Sequence, residues 1–298
     1  MKRGTKIGWF LIALSVILSV WVIVSQSSDA SQATESGLVL SDDGTVLEDY
    51  TGNGGAVTIP DGVTTINAGV FASKDITSVV MPSSVTSMGT GVFSGCTSLA
   101  SVSLSSSLNG IPEETFRECL SLGSVTIPDS ATSIGSNAFY GCASLSSVSI
   151  PASVSSISTD AFSGCGNLSN ISVASGNGAY ASSDGCLYNA SKTRLLLVPE
   201  GKTSLAIAAG TTTIGTGALQ DCTGISTVSL PNSVTTIEAN AFTDSGVETI
   251  TIPASVTSIA AQSSWTPSTI YGVSGSAAEK YAKDNNIVFF VLGNSQDD

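Results

Sequence analysis

Cysteines recur at a fixed interval along this chain and are its most reactive side chains. Cys96, Cys119, Cys142 and Cys165 follow one another every 23 residues, and Cys222 has similar neighbours. Such thiols can form disulfides, bind metal ions or act as nucleophiles. The chain has no histidine, which excludes the usual serine and cysteine triads and the histidine-containing metal motifs. We therefore predict no enzyme activity, no metal site and no cofactor.

The carboxylates offer no better catalytic site. Acidic residues that are adjacent in the sequence, such as Glu113 and Glu114, point to opposite faces of a strand, so they are poor candidates for a paired-carboxylate site. The acidic segments SDDGT (41–45) and SSDG (182–185) lack the spaced oxygens of a calcium loop. A turn is the better interpretation of both segments.

The overall charge limits the kinds of partner. The 298 residues carry a net charge of −13, and only 11% of them are charged. Three of the ten basic residues, Lys2, Arg3 and Lys6, lie at the N-terminus, so the rest of the chain is still more acidic. Such a chain disfavours nucleic acid, which requires clustered lysine and arginine. It also disfavours docking on an anionic membrane surface.

The first 33 residues have the organisation of an export segment. Basic residues precede an uncharged, mostly apolar run over residues 7–24, and small polar residues follow, which is the order of a secretory signal. The run is also long enough to cross a bilayer. Residues 1–33 are therefore either a signal peptide, cleaved after Ala30 or Ala33, or an uncleaved anchor. Both alternatives place the remainder outside the cytoplasm, and membrane contact would be limited to this segment.

The rest of the chain repeats a unit of 22–23 residues, represented by residues 145–165 (LSSVSIPASVSSISTDAFSGC). Val148 and Ile150 alternate with serines, which predicts a short strand with one buried face, and Pro151 ends that strand. A single unit buries too little apolar surface to fold alone, whereas stacked units share one core. We therefore expect a solenoid in which one aromatic position of every unit stacks on the next. These positions are Phe71, Phe93, Phe116, Phe139, Phe162, Leu219 and Phe242.

The regular spacing also decides what the thiols can do. Equivalent positions of successive coils lie about 4.8 Å apart, whereas a disulfide needs a Cβ separation near about 3.8 Å. We therefore expect buried free thiols that pack as small apolar side chains. Cys186 lies outside the regular spacing, and we expect it to be more exposed.

The motif L-x-x-V-x-I followed by P-x-S-V-x-x-I-x-x-x-A-F-x-G-C resembles the BspA-like leucine-rich repeats over about residues 34–293. The resemblance implies a mainly β leucine-rich-repeat solenoid of 22–23-residue coils. Its parts would be an N-terminal β-hairpin cap at 34–56, repeats at 57–170 and 205–267, and a helix–strand cap with a tail at 268–298. Serine replaces the usual asparagine ladder, and we expect its hydroxyls to bind the turn backbone instead. These serines are Ser84, Ser107, Ser130, Ser153, Ser233 and Ser255.

Two segments depart from the repeat. Residues 171–204 interrupt the period, and the apolar segments at 186–188 and 194–199 predict a β-hairpin insert. Near the C-terminus, Ser276 and Glu279 have the spacing of a capping box. A short helix should therefore begin at Ser276, and the following IVFFVL should form a strand.

A row of small hydroxyl residues should line the outer face of the strands, because each lies between two buried strand positions. The row consists of Ser103, Thr126, Ser149, Ser172, Ser229 and Thr251. A long curved surface of this kind can bind an extended partner through many weak contacts, and the resemblance implies adhesion. We therefore predict an exported cell-surface protein that binds a protein or glycan partner through the repeats. The alternative is a structural spacer of the cell envelope that has no specific ligand.

Overall fold

The computed structural model describes residues 32–33 and 36–292, and residues 36–292 wind into a solenoid of stacked coils. The proposed export segment falls almost entirely on residues 1–31, which lie outside the described residues. Among the described residues, no helix is long and apolar enough to cross a bilayer.

Each regular coil contributes one strand to what we call the first face of the solenoid. These strands pair in parallel with those of neighbouring coils and alternate buried and outward side chains, as Val148 and Ser149 do. The first-face strands are Gly55–Thr58, Ile76–Val80, Ser101–Ser103, Ser124–Thr126, Ser147–Ile150, Asn170–Val173, Thr227–Ser229, Thr249–Thr251, Thr269–Gly272 and Val288–Val291.

Shorter strands build a second face, and they too pair in parallel from coil to coil. In the coils that contain the repeat proline, the second-face strand follows the proline turn, as Ser133–Ile134 follows Pro128, and its apolar residue points into the core. The second-face strands are Val46–Tyr50, Thr65–Ile66, Ser87–Met88, Ser133–Ile134, Ser156–Ile157, Arg194–Leu197, Thr213–Ile214, Thr236–Ile237 and Ser258–Ile259.

Stacked aromatic rings fill the core where each coil turns back from the second face. The rings of five successive coils stack with centroids 5.3–5.4 Å apart, and none is more than 3% exposed. These rings belong to Phe71, Phe93, Phe116, Phe139 and Phe162. The predicted single aromatic column is therefore confirmed over these coils. A second core follows the insert, and there Phe242 stacks on Trp265 at 4.5 Å.

The cysteines lie beside this column as buried free thiols. Each regular cysteine donates a hydrogen bond to a carbonyl of the preceding coil, as Cys142 Sγ does to the Phe116 oxygen at 3.1 Å. Cys222 Sγ makes the same bond to the Val198 oxygen at 3.3 Å. The expectation that Cys186 is more exposed is wrong, because its side chain is fully buried at 0% exposure. It packs in the second core, in the cluster that also contains Tyr188 and Cys222.

The serine ladder hydrogen-bonds to the backbone only in the first half of the chain. The hydroxyls of Ser84, Ser130 and Ser153 each donate to a carbonyl of the preceding coil at 2.7 Å. The hydroxyls of Ser233 and Ser255 are buried and have no hydrogen-bond partner. At Ser107 it is the amide that bonds, donating to the Ser105 hydroxyl at 3.2 Å. The predicted ladder is therefore present at Ser84, Ser130 and Ser153 and absent at Ser233 and Ser255.

Both ends of the core carry caps. At the N-terminal end, Gln32–Ala33 and Leu38–Leu40 form antiparallel pairs that lead into Val46–Tyr50. At the C-terminal end, the helix Ala277–Asp284 begins after Ser276, whose hydroxyl accepts the Glu279 amide, as the capping box predicts. The strand Val288–Val291 then pairs in parallel with the preceding first-face strand, so the predicted helix–strand cap is confirmed.

The insert is a three-stranded antiparallel sheet rather than a simple hairpin. The predicted pairing of Cys186–Asn189 with Arg194–Leu197 is present, and an additional strand, Tyr180–Ser183, flanks it. Arg194–Leu197 also pairs in parallel with Thr213–Ile214. The insert is therefore built into the second face of the solenoid.

Candidate functional site

The hydroxyl row lies on the first face, but it is divided among three sheets. Thr126, Ser149 and Ser172 are paired in register in one parallel sheet, and Ser229 is paired with Thr251 in another. Ser103 belongs to the sheet that begins at Gly55–Thr58. Four of the six side chains are exposed, and Ser172 and Thr251 are half-buried.

The largest break in the row lies at residues 205–207, where the repeat predicts a strand and the structure has none. The Ala206 amide donates instead to the Asp184 carboxylate at 2.8 Å, and the Ala208 amide donates to the Tyr188 hydroxyl at 3.1 Å. Side chains of the insert thus accept the hydrogen bonds that these amides would otherwise donate to a neighbouring strand. As a result, the first face has two separate hydroxyl surfaces, one before and one after the insert.

Larger side chains extend the row at both ends, beyond the six predicted positions. Val80 pairs with Ser103 and is 48% exposed. At the other end, Tyr271 pairs with Thr251, and Phe290 pairs with Tyr271. Phe290 is 51% exposed, and its ring lies 5.5 Å from that of Tyr271. The alternating segments TIYG and IVFFVL were the available signal for these positions.

The chemistry of this face suits binding. Hydroxyls both donate and accept hydrogen bonds, and the exposed Phe290 ring beside the half-buried Tyr271 offers apolar area to a partner. Within residues 36–292, no group of three histidine, cysteine or acidic side chains is close enough to hold a metal ion.

The thiols are poor nucleophiles at neutral pH. Burial raises the pKa of Cys142 to about 12, although a backbone hydrogen bond opposes the shift. Burial likewise raises the pKa of Cys186 to about 12, with a smaller opposing effect from Lys202. Since the thiolate is the reactive form, these groups act in packing rather than in chemistry.

Comparison with known proteins agrees with this architecture. The family described as BspA type leucine rich repeat region matches residues 64–194 and 200–265, in six copies. A leucine-rich repeat protein from Eubacterium ventriosum is 25% identical over 82% of this chain and 72% of its own, with a TM-score of 0.61. One from Bacteroides ovatus is 20% identical over 91% of this chain and 77% of its own, with a TM-score of 0.56, a likeness of fold alone.

A leucine rich cell surface protein from Faecalibacterium prausnitzii is 25% identical over 90% of this chain and 97% of its own, with a TM-score of 0.46. No curated protein sequence is a significant match. The family match covers well over half of the chain, and it includes the coils that carry the phenylalanine and cysteine columns. This chain belongs to the BspA-type leucine-rich repeat proteins.

Proposed function

We propose that this chain is an exported cell-surface protein that binds a protein or glycan partner in adhesion through the first face. The observation that carries the proposal is the in-register row of outward hydroxyls, extended by the half-buried Tyr271 and the exposed Phe290. A partner lying along either part of the row would meet the same polar position on successive coils. Many weak contacts of this kind add up over an extended surface.

Two further features support this role. The apolar residues 7–24 follow three basic residues, as an export signal requires, and they would place the repeats at the cell surface. The Tyr271–Phe290 pair would anchor one end of the contact, because aromatic residues are enriched at interfaces. The hydroxyl row that adjoins it would supply the polar part of the contact.

Binding assays with matched variants test the proposal. Purified residues 34–298 would be titrated against immobilised matrix proteins, glycans and whole cells. Ser149→Arg places a long charged side chain in the hydroxyl row, and Ser156→Arg places the same group at an exposed serine on the second face of the same coil. We expect Ser149→Arg to weaken saturable binding by about tenfold or more, because it blocks contacts on two neighbouring coils. Ser156→Arg should leave the binding unchanged.

Two results would count against adhesion through this face. Equal binding by the wild type, the Ser149→Arg variant and the matching Ser229→Arg variant on the surface after the insert would place the contact elsewhere. Lack of saturable binding to any partner in the panel would favour the envelope-spacer alternative. Mass spectrometry of the exported chain tests export separately: an N-terminus near residue 31 or 34 indicates a cleaved signal, and an intact N-terminus indicates an anchor.

A further inference from the structure

A cleft of about 400 Å³ opens where the insert joins the second face. One wall is the corner at 158–163, and the other wall is the corner at 215–221 of the coil beyond the insert. Leu196 and Leu197 lie between the walls, and Glu200 lies at one end of the cleft. The volume is within the range of about 300–1,000 Å³ that is typical of small-ligand pockets.

The cleft exists because one corner is shortened by two residues. Leu195 pairs with Ile214 at the end of the second-face strands, and the Val198 amide donates to the Ala218 carbonyl. The same amide-to-carbonyl bond joins Phe139 to Ala161 in the regular coils. Val198 therefore occupies the position that Phe162 and Leu219 occupy in the flanking coils.

Regular corners have four residues between the last second-face residue that pairs with the neighbouring coil and this position, as at 158–161 and 215–218. The insert has only Leu196 and Leu197 between Leu195, which pairs with Ile214, and Val198. The two full corners therefore project beyond the short one. The groove between them has an apolar floor, because the short corner consists of two leucines.

A carboxylate takes the place of a backbone acceptor at this corner. In a regular coil, the Gly141 amide donates to the Ser163 carbonyl at 2.9 Å. The corresponding Gly164 amide donates to the Glu200 carboxylate at 2.7 Å. Burial raises the pKa of Glu200, the Gly164 hydrogen bond lowers it, and the nearby charge of Asp221 raises it. Glu200 is thus a half-buried acid, and its negative charge lies near that of Asp221.

The other charged groups of the cleft leave it negative. Asp160 and Asp221 also line it, one on each wall. The only basic residue in the lining is Arg194, and its guanidinium binds both oxygens of the Glu238 carboxylate. Among the described residues, no ion pair involves Asp160, Glu200 or Asp221. The Asp160 carboxylate accepts hydrogen bonds from the Ser136 and Ser158 hydroxyls at 2.7 Å. Glu200 and Asp221 are therefore the two carboxylates that lie beside the apolar floor without a neutralising cation.

We propose that this cleft binds a lysine side chain of a protein partner. The aliphatic stem would lie on Leu196 and Leu197, and the ammonium group would lie between Glu200 and Asp221. This arrangement matches the two parts of a lysine, an apolar stem and a compact cationic head. The inference rests on the proposed function only for the partner being a protein, and it does not involve the first face.

Methyl NMR of the full-length protein in detergent micelles tests the cleft directly. The probes are a blocked Gly-Gly-Lys-Gly-Gly peptide, the same peptide with norleucine in place of lysine, and free cadaverine. We expect the lysine peptide to shift the methyl signals of Leu196 and Leu197 in a saturable way, and the norleucine peptide to bind at least about tenfold more weakly. Equal binding of the two peptides would overturn the proposal. Binding of cadaverine without binding of the lysine peptide would also overturn it, since the ligand would then be a free amine.

Charge-removing variants identify the groups that bind the ammonium. Glu200→Gln keeps an acceptor for the Gly164 amide, and Asp221→Asn suits the left-handed backbone at φ 58°. Each should raise the dissociation constant of the lysine peptide about three- to tenfold. Asp244→Asn is the control, because Asp244 has a similar φ of 53° at the same corner position one coil further on, outside the cleft.

Two results separate this proposal from the first. Wild-type affinity in both Glu200→Gln and Asp221→Asn, with native thermal midpoints, would refute the cleft. The Ser149→Arg variant should bind the peptide normally, so failure of adhesion through the first face would not affect this measurement.

Discussion

Replacing Phe139 with alanine should be one of the most costly single changes in the protein. Its ring is fully buried and lies between Phe116 and Phe162, with centroids 5.3 and 5.4 Å away. Burial alone gives a phenylalanine-to-alanine cost of about 3–5 kcal/mol. Two ring pairs, each contributing about 0.5–1.5 kcal/mol, place this variant at the upper end of that range. We expect a loss of about 4–5 kcal/mol in the free energy of unfolding.

Phe162→Ala is the matched comparison, because the same residue type stands at the end of the stack. Phe162 has one ring partner, Phe139, and the next coil offers Val198 in place of a ring. Phe162 also lines the open cleft, so water can reach part of the space that the substitution leaves. We expect a loss of about 3 kcal/mol, less than that of Phe139→Ala by about the value of one ring pair.

Urea unfolding of residues 31–298 measures both costs. Circular dichroism follows the whole solenoid, and fluorescence follows Trp265, which is the only tryptophan in this segment and is 4% exposed. Coincident transitions would justify a single free energy of unfolding for the array. The reasoning would be refuted if Phe162→Ala cost as much as Phe139→Ala. A cost below about 2 kcal/mol for Phe139→Ala would refute it as well.

Three other measurements test the packing and electrostatics. Ser153→Ala removes a 2.7 Å hydrogen bond and should lower the free energy of unfolding in urea by about 1 kcal/mol. Ser233→Ala removes a buried hydroxyl without a partner, so the same measurement should show no loss or a gain. The reverse order of the two variants would contradict this reasoning. Burial raises the pKa of Glu238, but hydrogen bonds from Arg194 and Thr216 outweigh this effect, so the net pKa is lowered. The ion pair therefore contributes to stability above about pH 4.5, and this contribution is lost as the pH falls. Glu238→Gln should therefore flatten the acid side of the thermal-midpoint profile, by less than about 1 kcal/mol, and an unchanged slope would count against the ion pair. Cys142 should resist iodoacetamide at about pH 8 in the folded protein and react in urea, because its pKa is raised to about 12.

The repeated features could be predicted from the sequence because each coil provides the same environment. A phenylalanine every 22–23 residues can be buried in a solenoid only by stacking on its equivalents, so spacing alone predicted the column from Phe71 to Phe162. The helix at Ala277–Asp284 was predictable for a local reason, namely the capping-box spacing of Ser276 and Glu279. The signal for the column is one residue position that recurs in every coil, and the signal for the helix is a pair of residues within one turn.

The features around the insert depend on pairing between distant residues, and the sequence does not show that pairing. RLLLVP reads as one apolar strand, yet the strand ends at Leu197 and the next residue already begins the return of the coil. Only the register of Leu195 with Ile214 reveals that the corner is short. Likewise, residues 205–207 have a strand-like pattern but form no strand. The Asp184 carboxylate accepts a hydrogen bond from the Ala206 amide, and the Tyr188 hydroxyl accepts one from the Ala208 amide.

The parts of this solenoid that depart from the repeat present a surface that differs chemically from that of the regular coils. An identical coil presents an identical surface, so a regular array binds similarly along its whole length. At the shortened corner the Gly164 amide donates to the Glu200 carboxylate instead of to a backbone carbonyl. That replacement satisfies the hydrogen bond, but it brings a charge that no basic residue of the described chain neutralises. The Glu200 carboxylate that accepts the Gly164 amide therefore also leaves a negative charge in the cleft, which the ammonium group of a partner's lysine would neutralise.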